Sequence, residues 1–350
     1  MKRREPELDY LRFTSILLVF MSHTARFINI YPIQNFIVGI AAGNAVAVFY
    51  VISGYLAFAT YRDTSWKEYY KNRFFRIFIV YWFTFHINLV YRCIVIGDLE
   101  FSFMRYVIGL LGMQMAVPSY VYTWNGLGAS GSLSAFILFY LFVPIYKKFI
   151  SDKRTALYAL VLSAILCWGI RAMMTFSFSG WGDSGKYVPM YSPQTNIWYF
   201  LIGVYLYFIR DDVKKRYILA GIVGMILAAK LMHIQSYSFY ASAVAVVLCL
   251  YWRYGKATLP ELSLVSRFNK IGYAFWLAHP IVLYHYQFGE TDSAIGVCEK
   301  IDWFIILIAS IVFAKVLTMM SEYVTTILSN SCQRFLMSRY DKRSKNTEGY

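Results

Sequence analysis

The sequence predicts an all-α, polytopic integral membrane protein of about ten transmembrane helices with both termini in the cytoplasm. Three observations carry that expectation. Hydrophobic residues make up 59% of the 350 residues and charged residues only 15%, against about 45–50% and about 25% in ordinary soluble domains; mean hydropathy is +0.48. The apolar residues fall in blocks of about 20, the length that crosses a bilayer as a helix. Lys and Arg outnumber Asp and Glu 34 to 19, a formal net charge of +15, and they lie in short clusters between the apolar blocks, where they set topology. Charge placed in this way does not point to nucleic acid.

The opening MKRREPELDYLRFTSILLVF has the basic start of a signal peptide. Arg12 interrupts its apolar run and no small-residue cleavage site follows, so it is read as a retained first span. Apolar runs place spans near 9–31, 36–60, 74–97, 131–147, 155–176, 194–209, 216–233, 236–252, 271–288 and 303–328. The stretch 103–117 (FMRYVIGLLGMQMAV) is short for a span and reads as a re-entrant or interfacial segment. Charge supports this choice. With the N-terminus inside, the cytoplasmic loops hold 25 basic residues and the outer loops only Arg105, Lys186 and Lys300. Making 103–117 a span would move about seventeen of the 25 outside, against the positive-inside rule. One transmembrane domain, 1–330, is expected, followed by a polar cytoplasmic tail, 331–350. Cys93, Cys167, Cys249, Cys298 and Cys332 have no close spacing and suggest neither a disulfide framework nor a metal site. The 31 Tyr and 28 Phe read first as a core of large rings.

Ionisable groups inside spans are functional hypotheses by default, because each costs several kcal/mol unless paired or hydrated. Arg12 and His23 are the strongest case. Eleven residues of helix turn about 20° past three full turns and rise about 16 Å, so the two share a face, with Arg12 near the cytoplasmic surface and His23 near mid-bilayer. Asp9 extends the stripe one turn toward the N-terminus. A snorkelling arginine and a core histidine would be the bland account of each alone.

Around these residues the chain resembles the membrane-bound acyltransferases of acyltransferase family 3. Asp9, Leu11, Arg12, Val19 and His23 fit the family's first-span pattern. FYVISGYLAF resembles its second-span motif at Phe49, Ser53, Gly54, Tyr55 and Leu56, and KNRFFRIFIVYW its basic third-span entry at Arg73 and Arg76. GSLSAFILFYLFVP is similar to a later family segment at Ser132, Leu133, Ser134, Phe139, Tyr140 and Pro144. NIWYFLIGVYLYF looks like a further family segment, and IGYAFWLAHP resembles the last at Tyr273, Leu277, His279 and Pro280. Gly131 and Phe136 stand where one branch of the family has tryptophan and glutamate, and Ile79 where proline is common. The resemblance is therefore to single-domain members, without an esterase-like domain, that acylate sugars of surface polysaccharides.

The resemblance implies an inner-membrane, multi-pass O-acyltransferase, with acetyl as the first expectation for the group carried. The donor would be cytoplasmic acetyl-CoA or another acyl-CoA, and no cofactor or metal would stay bound. The acceptor would be a sugar hydroxyl of O-antigen, capsule or exopolysaccharide, or of its lipid-linked precursor. Membrane lipids would be the remaining partners, and a homo-oligomer is compatible with the sequence. His23 is the expected general base, since neutral imidazole titrates near working pH, with an acyl-histidine as the variant path. Arg12, Arg73 and Arg76 gather at the cytoplasmic end, where guanidinium can bind the donor's phosphates bidentately. Arg73 and Arg76 could equally serve topology alone. Ser53 reads with Gly54 as a close helix contact, or as an oxyanion donor; His279 as a core residue or part of an acceptor pocket. Trp124, Asn125, Trp181 and Asp183 in the outward loops could contact sugar. The rival readings are a transporter or flippase for acyl groups or lipid-linked sugars, and a structural subunit of a polysaccharide synthase.

Overall fold

A computed structural model describes residues 5–25, 45–60, 65–97, 99–116, 131–178, 189, 192–231, 237–255, 259–289 and 300–347. Among them the chain is helical, without strands: α1 Pro6–Thr24, α2 Ala45–Thr60, α3 Trp66–Val90, α4 Phe103–Leu110, α5 Leu133–Phe149, α6 Lys153–Ser177, α7 Pro193–Ile209, α8 Lys215–Leu231, α9 Tyr237–Tyr254, α10 Ser263–Gly289 and α11 Lys300–Thr347. Each expected span overlaps one of these helices. Three helical stretches, Trp66–Ile96, Lys153–Ser177 and Trp303–Leu328, are long and apolar enough to cross a membrane by length and composition. The chain is an all-α membrane protein.

Local sequence explains the helix starts. Pro6 and Pro193 occupy the first turns of α1 and α7, where their fixed φ suits a helix and the missing N–H costs nothing. The Ser65 hydroxyl accepts from Glu68 N at 3.3 Å at the head of α3. Asp152 caps α6 in a reciprocal box with Thr155, accepting from Arg154 N at 2.6 Å and Thr155 N at 3.0 Å. These backbone donors hold the Asp152 carboxyl below its ordinary value. α3 ends in a π turn, Tyr91–Ile96, closed by Gly97 at φ +72°.

His23 lies in the last turn of α1, and residues 26–31 of the expected first span lie outside the described residues. The last helix runs beyond the apolar run that ends near 328 and continues through the polar segment to Thr347.

The closest crossing joins α2 to α7. A Cβ added at Gly54 would lie 1.9 Å from the Phe200 carbonyl oxygen, and one at Gly203 would lie 1.8 Å from the Val51 oxygen. Only glycine permits that approach, as in other membrane helix pairs joined through small residues. Rings fill the space beside it: Tyr50 meets Phe139 at a centroid distance of 5.4 Å, and Phe139 meets Phe200 at 5.3 Å.

Within the segment 103–117, Phe103–Leu110 forms α4, eight residues or about 12 Å long, too short to cross a bilayer alone. It is tied to its neighbours by polar contacts. Tyr81 donates to the Gly109 carbonyl, and Trp82 Nε1 donates to the Leu110 carbonyl at 2.8 Å. Ser134 donates to the Gly112 carbonyl at 2.7 Å and accepts from Met115 N at 3.1 Å. Gly112, at φ +66°, permits the turn between these contacts.

Candidate active site

α1 carries the site and is held from two sides. Asn269 Nδ2 donates to the Asp9 carbonyl at 2.9 Å, and Phe13 packs edge-on against Phe268 at 5.2 Å, fixing α1 to α10. Trp303 Nε1 donates to Thr24 Oγ1 at 2.9 Å, fixing its end to α11. Near that end His23 meets His279 of α10, which lies 256 residues away in sequence. His23 Nδ1 is 2.8 Å from His279 Nε2, and the rings stack at a centroid distance of 5.1 Å. Phe20 and Phe275 close around the buried His279 ring.

The tautomers follow from the far end of this chain of contacts. His279 Nδ1 is 3.1 Å from the Phe275 carbonyl. A carbonyl only accepts, so Nδ1 carries the proton and, in the neutral ring, Nε2 is the acceptor. His23 must then donate from Nδ1, which leaves its own Nε2 with an available lone pair. The His23 side chain is exposed. A buried histidine that orients an exposed one, with the outer nitrogen unprotonated, is the arrangement of a base and its positioning group.

The other end of the stripe is cationic. Arg12 reaches Asp9 at 3.8 Å, and Arg73 and Arg76 of α3 both lie within electrostatic reach of Arg12. Arg73 donates to Thr60 Oγ1 at 3.3 Å and sits over the ring of Tyr140 at 4.5 Å, with Tyr69 at 5.5 Å. The aromatic faces favour the guanidinium of Arg73 without neutralising it. Among the described residues Asp9 is the one carboxylate paired with any of these three arginines, so the cluster carries an excess of positive charge. About 16 Å of helix separates Arg12 from His23.

Arg12, Arg73 and Arg76 are therefore brought together, and so are His23 and His279. Ser53 is half-buried on α2 beside the tight crossing at Gly54 and takes no part in the histidine contact. Trp124, Asn125, Trp181 and Asp183 lie outside the described residues. One contributor escaped the sequence reading: Tyr140 matches a motif without a role there, and its place under Arg73 depends on packing between α3 and α5. His279, expected as a core residue or part of the acceptor pocket, is buried and turns its Nε2 to His23. His86 places Nδ1 at 2.7 Å from the Trp82 carbonyl and Nε2 at 3.0 Å from the Tyr106 hydroxyl. It joins α3 to α4 and is not part of the site.

No curated protein and no solved structure matches the chain. A family model described as an acyltransferase domain, that of acyltransferase family 3, matches residues 5–320. That region contains α1 to α10, both histidines and all three clustered arginines, and no second domain is matched. The chain belongs to acyltransferase family 3 and is an acyltransferase of the membrane.

Proposed function

We propose that the protein is a ten-span inner-membrane O-acyltransferase, most simply an O-acetyltransferase, that moves an acyl group from cytoplasmic acyl-CoA to a sugar hydroxyl of a surface polysaccharide or its lipid-linked precursor. In this reading residues 1–330 form one transmembrane domain with both termini in the cytoplasm, and 331–350 form a polar cytoplasmic extension. The observation that carries the reading is the His23–His279 contact, which leaves His23 Nε2 as a base on the same helix as a cluster of three arginines with one carboxylate.

The arginines suit the phosphates at one end of the donor, and the stripe of α1 suits the long arm that carries the thioester toward His23. His23 Nε2 takes the proton of the acceptor hydroxyl as its oxygen attacks the thioester carbonyl. The C–O bond forms, the C–S bond breaks, and the imidazolium returns the proton to the departing thiolate, giving ester and free CoA. His279 holds the His23 ring in the tautomer this requires and spreads the charge of the imidazolium. Ser53 is the candidate donor to the carbonyl oxygen.

The test is the acetate ester content of the host's surface polysaccharide, by proton NMR. It is compared in cells with the gene intact, deleted, and restored as His23→Ala at equal membrane abundance. Loss of ester in both altered strains is expected. Unchanged ester with reduced polysaccharide export would replace this reading with a transport function.

A further inference from the structure

α6 is one of the three stretches apolar enough to cross a membrane, yet it carries Arg171. The mechanism above leaves this residue unused. Arg171 lies 18 residues from the start of the helix, about 27 Å along its axis. Helical side chains lean toward the N-terminus, and Arg171 comes within reach of Cys167 on its own helix and of the Tyr199 hydroxyl on α7. Tyr199 in turn lies 3.0 Å from Ser238 Oγ on α9, with both groups buried. One turn further along α6, Met174 Sδ meets Ser192 Oγ at 3.6 Å. Every one of these neighbours is uncharged at neutral pH. Arg171 Nη2 is buried without a hydrogen-bond partner among the described residues, and none of their carboxylates pairs with the guanidinium. The residue as a whole is half-buried, so part of it stays accessible. A guanidinium among apolar helices is costly unless an anion or water offsets it.

Its height in the bundle is informative. Lys153 meets Asp212 at 3.8 Å, and Arg210 meets Glu5, so the starts of α6 and α1 and the end of α7 lie at one end of the protein. His23 is 18 residues beyond Glu5, about 27 Å along α1. Arg171 and His23 are thus both at the opposite end, well removed from these ion pairs.

We infer that Arg171, with Tyr199 and Ser238, forms a second anion site, which holds a negatively charged oxygen group of the acceptor while its hydroxyl lies at His23. Two sources share that chemistry: the carboxylate of an acidic sugar and the diphosphate of a lipid carrier. Either belongs to an extended molecule able to reach two places at this end of the bundle. The word acceptor rests on the acyltransferase reading above; the anion site rests on Arg171.

Equilibrium binding to the purified full-length protein in detergent, saturated with CoA to fill the arginine cluster on α1 and α3, separates the possibilities. The probes are radiolabelled farnesyl diphosphate and glucuronate, with farnesol as the uncharged control. One anion is expected to bind, and its identity names the source. Arg171→Gln should weaken it at least tenfold, as the loss of a charge-assisted hydrogen bond does, Arg171→Lys should weaken it less, and farnesol binding should not change. Should Arg171→Gln fail to fold, the double variant Tyr199→Phe, Ser238→Ala carries the same readout. Failure of both anions to bind the wild type, or equal binding by the variant, would overturn the inference. CoA release from acetyl-CoA, measured on the same purified protein without added CoA, reports separately on acyl transfer.

Discussion

Two groups of arginines near the start of α1 have opposite surroundings. Arg210 is fully engaged: it donates to Glu5 Oε1 and, at 2.9 Å, to the Tyr55 hydroxyl, lies 3.8 Å from Glu7, and covers the Trp252 ring at 5.8 Å. The same acids take further donors, with Tyr55 on Glu5 at 3.1 Å and Trp252 Nε1 on Glu7 at 3.1 Å. Burial works against the charge of Arg210, yet Tyr55, Glu5 and Glu7 more than offset it and hold the group above its ordinary value. Arg12, Arg73 and Arg76, by contrast, repel one another with Asp9 as their paired carboxylate. A balanced arginine holds a fold together; the other three, with one paired acid among the described residues, would in the proposed reaction receive the phosphates of the donor. Positive-inside counting treats Arg73, Arg76 and Arg210 alike, and only their neighbours separate them.

The contrast can be broken at the reacting end first. His23→Ala should lower transfer by about 10²- to 10⁴-fold, the usual worth of a positioned general base. His279→Ala should lower it less and change the dependence of rate on pH. For the wild type the rate should fall as acid protonates the pair, because only neutral His23 accepts the proton. Stopped-time transfer assays across pH check both; a flat profile would remove the base from the mechanism.

Next in size are the arginines of the cluster. Arg12→Ala, Arg73→Ala or Arg76→Ala should each raise the KM for acyl-CoA by about 10- to 100-fold, as losing a charge-assisted contact of about 1.5–3 kcal/mol implies. The thermal midpoint should stay unchanged or rise as repulsion is relieved. Arg210→Ala should do the reverse. It strands two carboxylates and should lower stability by about 1–3 kcal/mol, seen as a lower Tm, with the KM for acyl-CoA unchanged. If both sets of variants altered KM alike, the division between the two groups would be wrong.

The smallest effect concerns Glu5. Burial raises its carboxyl above the ordinary 4.5, against Arg210 and the Tyr55 hydroxyl, which favour the charged form. The folded chain therefore binds this proton more tightly than the unfolded chain does. Its contribution to stability is greatest in acid and is lost as pH rises through the folded value. Compared with Glu5→Gln, the wild type should lose ground in Tm as pH rises from about 4.5; a constant difference would contradict the assignment.

Much of the all-α membrane fold was legible because apolar blocks and basic clusters are local signals, and the described helices overlap the expected blocks. The α1 stripe was legible for the same reason, since helical periodicity alone puts Arg12 and His23 on one face. Gly54 was readable as a packing residue, and its carbonyl-close approach to Phe200 agrees. What the sequence hid is what lies between distant segments. No spacing joins His23 to His279 or Arg210 to Glu5, because partners on different helices are chosen by tertiary packing. Tyr140 under Arg73 and the polar ties of α4 were hidden for the same reason.

In the proposed reaction α1 holds the donor at its arginines and performs chemistry at its histidine. Equilibrium binding of radiolabelled acetyl-CoA to the purified protein in nanodiscs, measured alongside acyl transfer for the wild type, His23→Ala and Arg12→Ala, separates the two roles. His23→Ala should bind the donor as the wild type does while transferring almost none, and Arg12→Ala should lose about tenfold or more in donor affinity. Normal donor binding by Arg12→Ala, or normal transfer by His23→Ala, would contradict the assignment of those roles.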